Sequence, residues 1–406
     1  MRKDNPKYLI PKLILAHFSH HVATGVLVPL LPLIRESFGL NYFQSGVLIS
    51  SFSISYGLGQ VPIAIFADRM GHLPIIVIGL MGISLASIVL SFTDAFWQMV
   101  VCFIAMGLFG ATYHAPASSF ISRVLPVERR GRGMGLHVVG GNASFFLTPL
   151  LAVGVATIFQ SWRASFLVLA LPSLLVSFLL WSNHRRSQDE IEKREKHPSI
   201  LEEDTNKKLT HGSVPIEAKI SWLEVVRSIG FLVILSIAMQ IVGAGVNSYL
   251  PLYMVDQHHI SPKWAGIMTG FVWGMGMVGA PVGGALSDAV GRKRVILFSI
   301  ALSGPFFLAF ATIPFGVLLL LFLALYGLVI SVRMPIVESY IADVIPVGRR
   351  TTVFGVYFLL SQETTTITTP FIGYLIDLYG SNPVFVSLGL WLCLAASVGW
   401  LFQRRI

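Results

Sequence analysis

Runs of ~20 or more mostly apolar residues, separated by polar segments that carry most of the basic side chains, recur along nearly all of this 406-residue chain. A helix rises ~1.5 Å per residue and the hydrocarbon core of a bilayer is ~30 Å thick, so each run is long enough to cross it. Lipid offers peptide groups no hydrogen-bond partner, so a crossing run must be helical. Twelve are read: 10–33, 43–67, 74–93, 97–121, 134–158, 163–182, 228–254, 264–287, 294–312, 314–340, 353–376 and 383–402. Residues of the AVILMFWYC set make up 54% of the chain and charged residues only 12%, against ~25% in soluble chains, too little polar surface to cover such a core in water. The first run follows the basic start MRKDNPK but is too long for the apolar part of a leader, so no cleavage is expected. Cys102 and Cys393 lie inside apolar runs and read as small packing residues.

The net charge of +9 could suggest nucleic acid, but its placement decides otherwise. With both termini on one side, 25 of the 29 Lys and Arg residues fall on that side. Only Arg35, Arg163 and Lys263 fall on the other, and Arg333 lies within a run. Basic residues concentrate on the cytoplasmic face, so both termini are expected there, in a bacterial inner (cell) membrane. Both ends on one side require an even number of crossings, as twelve is. No nucleic-acid partner is expected, and the chain is read as a monomer.

The segment 122–130 (SRVLPVERR) resembles 342–350 (ADVIPVGRR) at an offset of 220 residues. The same offset pairs Asp68 with Asp288, Gly71 with Gly291, Gly46 with Gly266 and Gly135 with Gly355. A constant shift over some ninety residues implies an internal duplication. The expectation is an all-α membrane protein of twelve transmembrane helices in two pseudo-symmetric six-helix bundles, 1–182 and 222–406, joined by a cytoplasmic linker at 183–221. The linker is polar and of mixed charge, with helix expected over 188–197. Parallel repeats of this kind build a site that can open to either side of a membrane.

At this point the chain resembles the major facilitator superfamily. The loop signature G-x-x-x-D-R/K-x-G-R/K-R/K stands whole as Gly284, Asp288, Gly291, Arg292, Lys293 and Arg294. The first half keeps Asp68, Arg69 and Gly71, with Ala64 for the first glycine and His72-Leu73 for the basic pair. Trp162-Arg163 fits the family as well. Within it, Ser19-His20, Tyr113-His114 and Val139 to Asn142 leading to Thr148-Pro149 resemble exporters of the fosmidomycin-resistance type. The resemblance implies alternating access, a cavity lined by spans 1, 4, 7 and 10 with help from 5 and 11, and an inner gate at Asp68, Arg69, Gly71, Gly284, Asp288, Gly291 and Arg292.

A charge inside a span costs ~2.5–3.5 kcal/mol on insertion scales, so intramembrane charges tend to face a cavity and carry function. These are Arg333, Glu338 and Glu363, alongside His17, His20, His21, His114 and His137. Counting residues from the span ends puts Arg333, Glu363, His17 to His21 and His114 at one level, about 15 Å from the inner edge, with Glu338 and His137 nearer that edge. The 220 offset maps His20 to Gln240, Tyr113 to Arg333, Asn142 to Gln362 and Ala143 to Glu363. His20, Tyr113, His114, Asn142, Gln240, Arg333 and Gln362 are therefore the candidate substrate ring, and Glu363 and Glu338 the candidate proton-coupling groups. Arg333 could equally pair with Glu363 as a scaffold, and the histidines could simply bond neighbouring helices. Glu338 lies ~140° around the helix from Arg333, so the two are not an i,i+4 pair. His17 and His21 share a face at metal-ligand spacing, but no carboxylate joins them, so no metal is expected. Small residues every four positions from Gly266 to Gly283 allow close helix approach. Pro29, Pro32, Pro116, Pro149, Pro251 and Pro335 are expected to kink their helices.

No nucleotide-binding loop of the form G-x-x-x-x-G-K-S/T is present, so no cofactor is expected and the energy would come from an ion gradient, most simply protons. The midplane balance of one arginine and several histidines against one acid favours a small polar or anionic substrate. Export is the expected direction, with uptake of an organic anion by symport as the rival. An enzyme or a non-transporting receptor would need a nucleophile–base pair, a metal cluster or a soluble domain, and none is read.

Overall fold

The computed structural model describes residues 6–124, 127–195, 222–344 and 366–402. Apart from breaks inside the first and fourth runs and a few residues at run ends, each of the twelve apolar runs is helical where it is described. In chain order the helices are α1 (Pro6–Thr24), α2 (Leu27–Phe38), α3 (Tyr42–Met70), α4 (His72–Leu90), α5 (Phe96–Gly110), α6 (His114–Val124), α7 (Val127–Ile158) and α8 (Trp162–Glu195). They continue with α9 (Trp222–His258), α10 (Pro262–Val290), α11 (Arg292–Thr312), α12 (Val317–Val344), α13 (366–379) and α14 (Ser381–Phe402). Eight segments among the described residues are long and apolar enough to span a membrane. Large side chains such as Leu58, Phe92 and Ile158 stand exposed on the outside of the bundles, the faces lipid would cover. α8 runs unbroken to Glu195, so helix reaches well into the polar stretch that follows span 6.

Spans 1 and 4 are each built from two helices. The breaks fall at residues 25–26 and 111–113. Pro29 lies four residues after Gly25, and Pro116 four after Thr112. A proline ring clashes with the carbonyl four residues earlier and supplies no N–H to it, so the chain opens at these points. Pro149 and Pro251, expected to act likewise, sit inside helices that continue through them.

The two halves repeat one packing plan. α3 packs on α5 and α4 on α8; one repeat later α10 packs on α12 and α11 on α14. Gly71 and Gly291 close α3 and α10 with φ of 93° and 97°, values that exclude most side chains. Each donates its N–H to the carbonyl four residues back, Ala67 and Ser287, at 3.0 Å. Serines tie helices within the first bundle: Ser84 Oγ donates to the Ala170 carbonyl, Ser87 to Phe166 and Ser173 to Ser19.

The bundles meet at the end carrying residues 39–41, 159–161 and 259–261, here termed the far end. The end with Gly71 and Gly291 is the near end. Gly46 of α3 lies against Tyr249 and Pro370, and Gly266 of α10 against Pro29 and Val153, so the pair related by the 220 offset lets each bundle touch the other. Gly270 and Gly274 abut Pro149 and Phe146 of α7, while Gly279 and Gly283 face α12 of their own bundle. The glycine ladder therefore serves two interfaces, one between bundles and one within.

Candidate functional site

The breaks in spans 1 and 4 deliver imidazole and phenol rings to one place. His17, His20 and His21 come from the last turns of α1, and Tyr113 and His114 from the start of α6. His137 comes from α7. Ring centroids of His17 lie 4.3 Å from His137, 5.0 Å from His21 and 5.1 Å from His114. His20 stacks on Tyr113 at 4.9 Å and meets His114 edge-on at 5.4 Å. The Tyr113 hydroxyl donates to the Leu13 carbonyl at 2.8 Å, which anchors α6 to α1. His17 Nδ1 bonds the His137 carbonyl at 2.8 Å. A carbonyl only accepts, so Nδ1 carries the proton and Nε2 keeps its lone pair. His17 Nε2, His20 Nδ1 and His137 Nδ1 are buried without a hydrogen-bond partner.

His20 and Tyr113 are buried and His114 is half-buried, and all three lie inside the cluster. Asn142 is exposed, one turn before Phe145 and Phe146 on the same face of α7. Phe145 stacks on Trp273 of the other bundle at 5.2 Å, one turn from Asn142. His137 corrects the depth reading: it joins the cluster rather than lying nearer the membrane edge. α1 and α7 lie side by side here, with Gly140 of α7 against the Ile14 carbonyl and Gly141 against the His17 ring. Gly141 makes room for the His17 ring, since a Cβ there would lie 2.7 Å from its Cε1.

Gln240, Arg333 and Glu338 lie in α9 and α12, but their side chains are outside the described residues, as are those of Asp68 and Asp288. Gln362 and Glu363 fall outside them altogether. At the near end, Arg69 is exposed, Gly284 faces open space, and Arg292 starts α11 directly after Gly291. A cavity of about 540 Å³ opens elsewhere, on the far rim among Glu36, Gln160, Arg163 and Lys263.

The sequence reading did not find the far-end latch. Arg35 of α2 pairs in bidentate fashion with Asp256 of α9, at 2.6 and 2.5 Å. Tyr42 donates its hydroxyl to the same carboxylate at 2.7 Å. Asp377 of α13 accepts the backbone N–H groups of Tyr42 and Phe43, both at 2.9 Å, so an acid of one bundle caps a helix N-terminus of the other. Tyr249 bonds the carbonyls of Tyr42 and Thr369, and Ser50 that of Thr366. These cross-bundle hydrogen bonds all lie in this far half. The clue in the sequence was Arg35 itself, one of three basic residues on the side that carries few.

The pattern of the Major Facilitator Superfamily matches residues 13–362 and 263–405. The chain belongs to this superfamily. It is a multi-pass integral membrane protein and a secondary transporter, not an enzyme. It is 23% identical over 348 residues to the fosmidomycin resistance protein of Escherichia coli (strain K12), covering 85% of this chain and 80% of that one. It is 21% identical over 382 residues to a hexuronate transporter of Bacillus subtilis (strain 168), covering 91% and 87%. Among solved structures, a bacterial homolog of the human lysosomal transporter Spinster, in an inward-facing unoccupied conformation, superposes with a TM-score of 0.81 at 16% identity, over 100% of this chain and 98% of that one.

Proposed function

We propose that this transporter moves a small polar or anionic organic compound by alternating access, and that the movement is proton-coupled efflux. The observation that carries the substrate class is the histidine–tyrosine cluster at the two helix breaks. It offers lone pairs and N–H donors, and α1, α5, α6 and residues 136–158 of α7 contain no acid that would favour a cation. The ring would be His20, Tyr113, His114 and Asn142 from one bundle and Gln240, Arg333 and Gln362 from the other. Glu363, with Glu338, would exchange the proton, since burial raises a carboxylate pKa and a nearby cation lowers it. Asp68, Arg69, Gly71, Gly284, Asp288, Gly291 and Arg292 would gate the near end, with both termini cytoplasmic. Bundles 1–182 and 222–406 would rock about the ring, tethered by 183–221. Similarity to the fosmidomycin resistance protein supports export.

The hexuronate relative supports a second reading, uptake of an organic anion by symport. Flux in right-side-out and inverted vesicles under an imposed pH gradient separates the two. Glu363→Gln is expected to abolish gradient-driven flux while leaving substrate counterflow. Full gradient-driven flux in that variant would remove Glu363 from the coupling role.

A further inference from the structure

We propose that His17, His21 and His114 bind one divalent transition-metal ion, leaving a coordination position open for an anion. One ring nitrogen from each of the three lies within 4.8 Å of the others. A tetrahedral site with metal–nitrogen bonds of 2.0–2.1 Å needs about 3.4 Å between ligand atoms, which ring rotations of roughly an ångström would supply. The i,i+4 pair on α1 provides two ligands on one face, and the break before α6 places the third opposite them.

Two further observations point to a cation rather than to packing alone. His17 Nδ1 is held by the His137 carbonyl at 2.8 Å, the outer-shell bond that metal-ligating histidines make, and this presents Nε2 as the free lone pair. That Nε2 is buried with no hydrogen-bond partner. His21 and His114 are only half-buried, so part of each ring remains open to an incoming ion. Imidazole ligands without carboxylates select zinc, copper, nickel or iron over magnesium or calcium. Three neutral imidazoles leave the ion's charge uncompensated, and α1, α5, α6 and residues 136–158 of α7 carry no acid, so an anion completes the site. That last step rests on the transport reading above; the metal site does not.

The test uses full-length protein purified in detergent, free of any polyhistidine tag, titrated with Zn²⁺ and with Co²⁺ as a visible-absorption probe. One equivalent is expected to bind, to raise the thermal midpoint and to give a four- or five-coordinate Co²⁺ spectrum. His21→Gln and His114→Gln, checked for monodispersity, should each weaken binding by more than the ~10–100-fold typical of losing an outer-shell partner. The far-end variant His258→Gln should bind as the parent does. Absence of stoichiometric binding, or binding indifferent to His21→Gln and His114→Gln, overturns the site. Stoichiometric binding with chelator-insensitive substrate flux in liposomes leaves the metal site standing and overturns the anion role.

Discussion

At the residue scale the His17 ring is the most constrained part of the cluster. It stacks on His137, bonds that residue's carbonyl and rests on Gly141, a helix position with no Cβ. Gly141→Ala would place a methyl 2.7 Å from the ring in a region already filled by His21, Tyr113 and His114. Overpacking of this kind costs ~1–3 kcal/mol. The variant should show a lower thermal midpoint and weaker Zn²⁺ binding together. An unchanged midpoint would mean that the ring has room to move. The sequence marked His20, Tyr113 and His114 as site residues. It set His17 and His21 aside as a bare pair, because the third ligand comes from a helix about ninety residues away.

At the scale of elements, the two helix breaks are the device that makes a site. A continuous span would leave no irregular backbone where the rings converge, and such backbone is tolerated in a membrane only where protein or a cavity surrounds it. The sequence located both prolines, Pro29 and Pro116. It did not separate them from Pro149 and Pro251, which sit in continuous helices. Pro116→Ala should heal the break before α6. Hydrogen exchange at residues 111–115 should slow, and Zn²⁺ and substrate binding should weaken as His114 turns with the repaired helix. Unchanged exchange there would show that packing, not the proline, opens the chain.

At the scale of the molecule, the described contacts close the far end. Arg35, Tyr42, Asp256 and Asp377 form a polar latch above Tyr249 and Gly46. The Arg35–Asp256 pair is partly solvated, with side chains 22% and 29% exposed, so its contribution is modest, on the order of 1 kcal/mol. Under the proposed alternating access, that is enough to shift the equilibrium a few-fold, because 1.4 kcal/mol corresponds to a factor of ten. Asp256→Asn should increase the population open at the far end by that amount, read as faster labelling of a cysteine introduced at Phe146. High salt should reproduce part of the effect in the parent and little of it in the variant. No change in labelling would make the latch incidental to the cycle.

Hydropathy, charge placement and the 220-residue repeat are properties summed along the chain, so the sequence alone determined the solvent, the helical spans and the duplicated plan. Which rings meet was decided only in three dimensions. His17 lies 120 residues from His137, and Arg35 lies 221 from Asp256. Their approach depends on how each helix is rotated about its axis and where it breaks, and both are set by packing against helices distant in sequence.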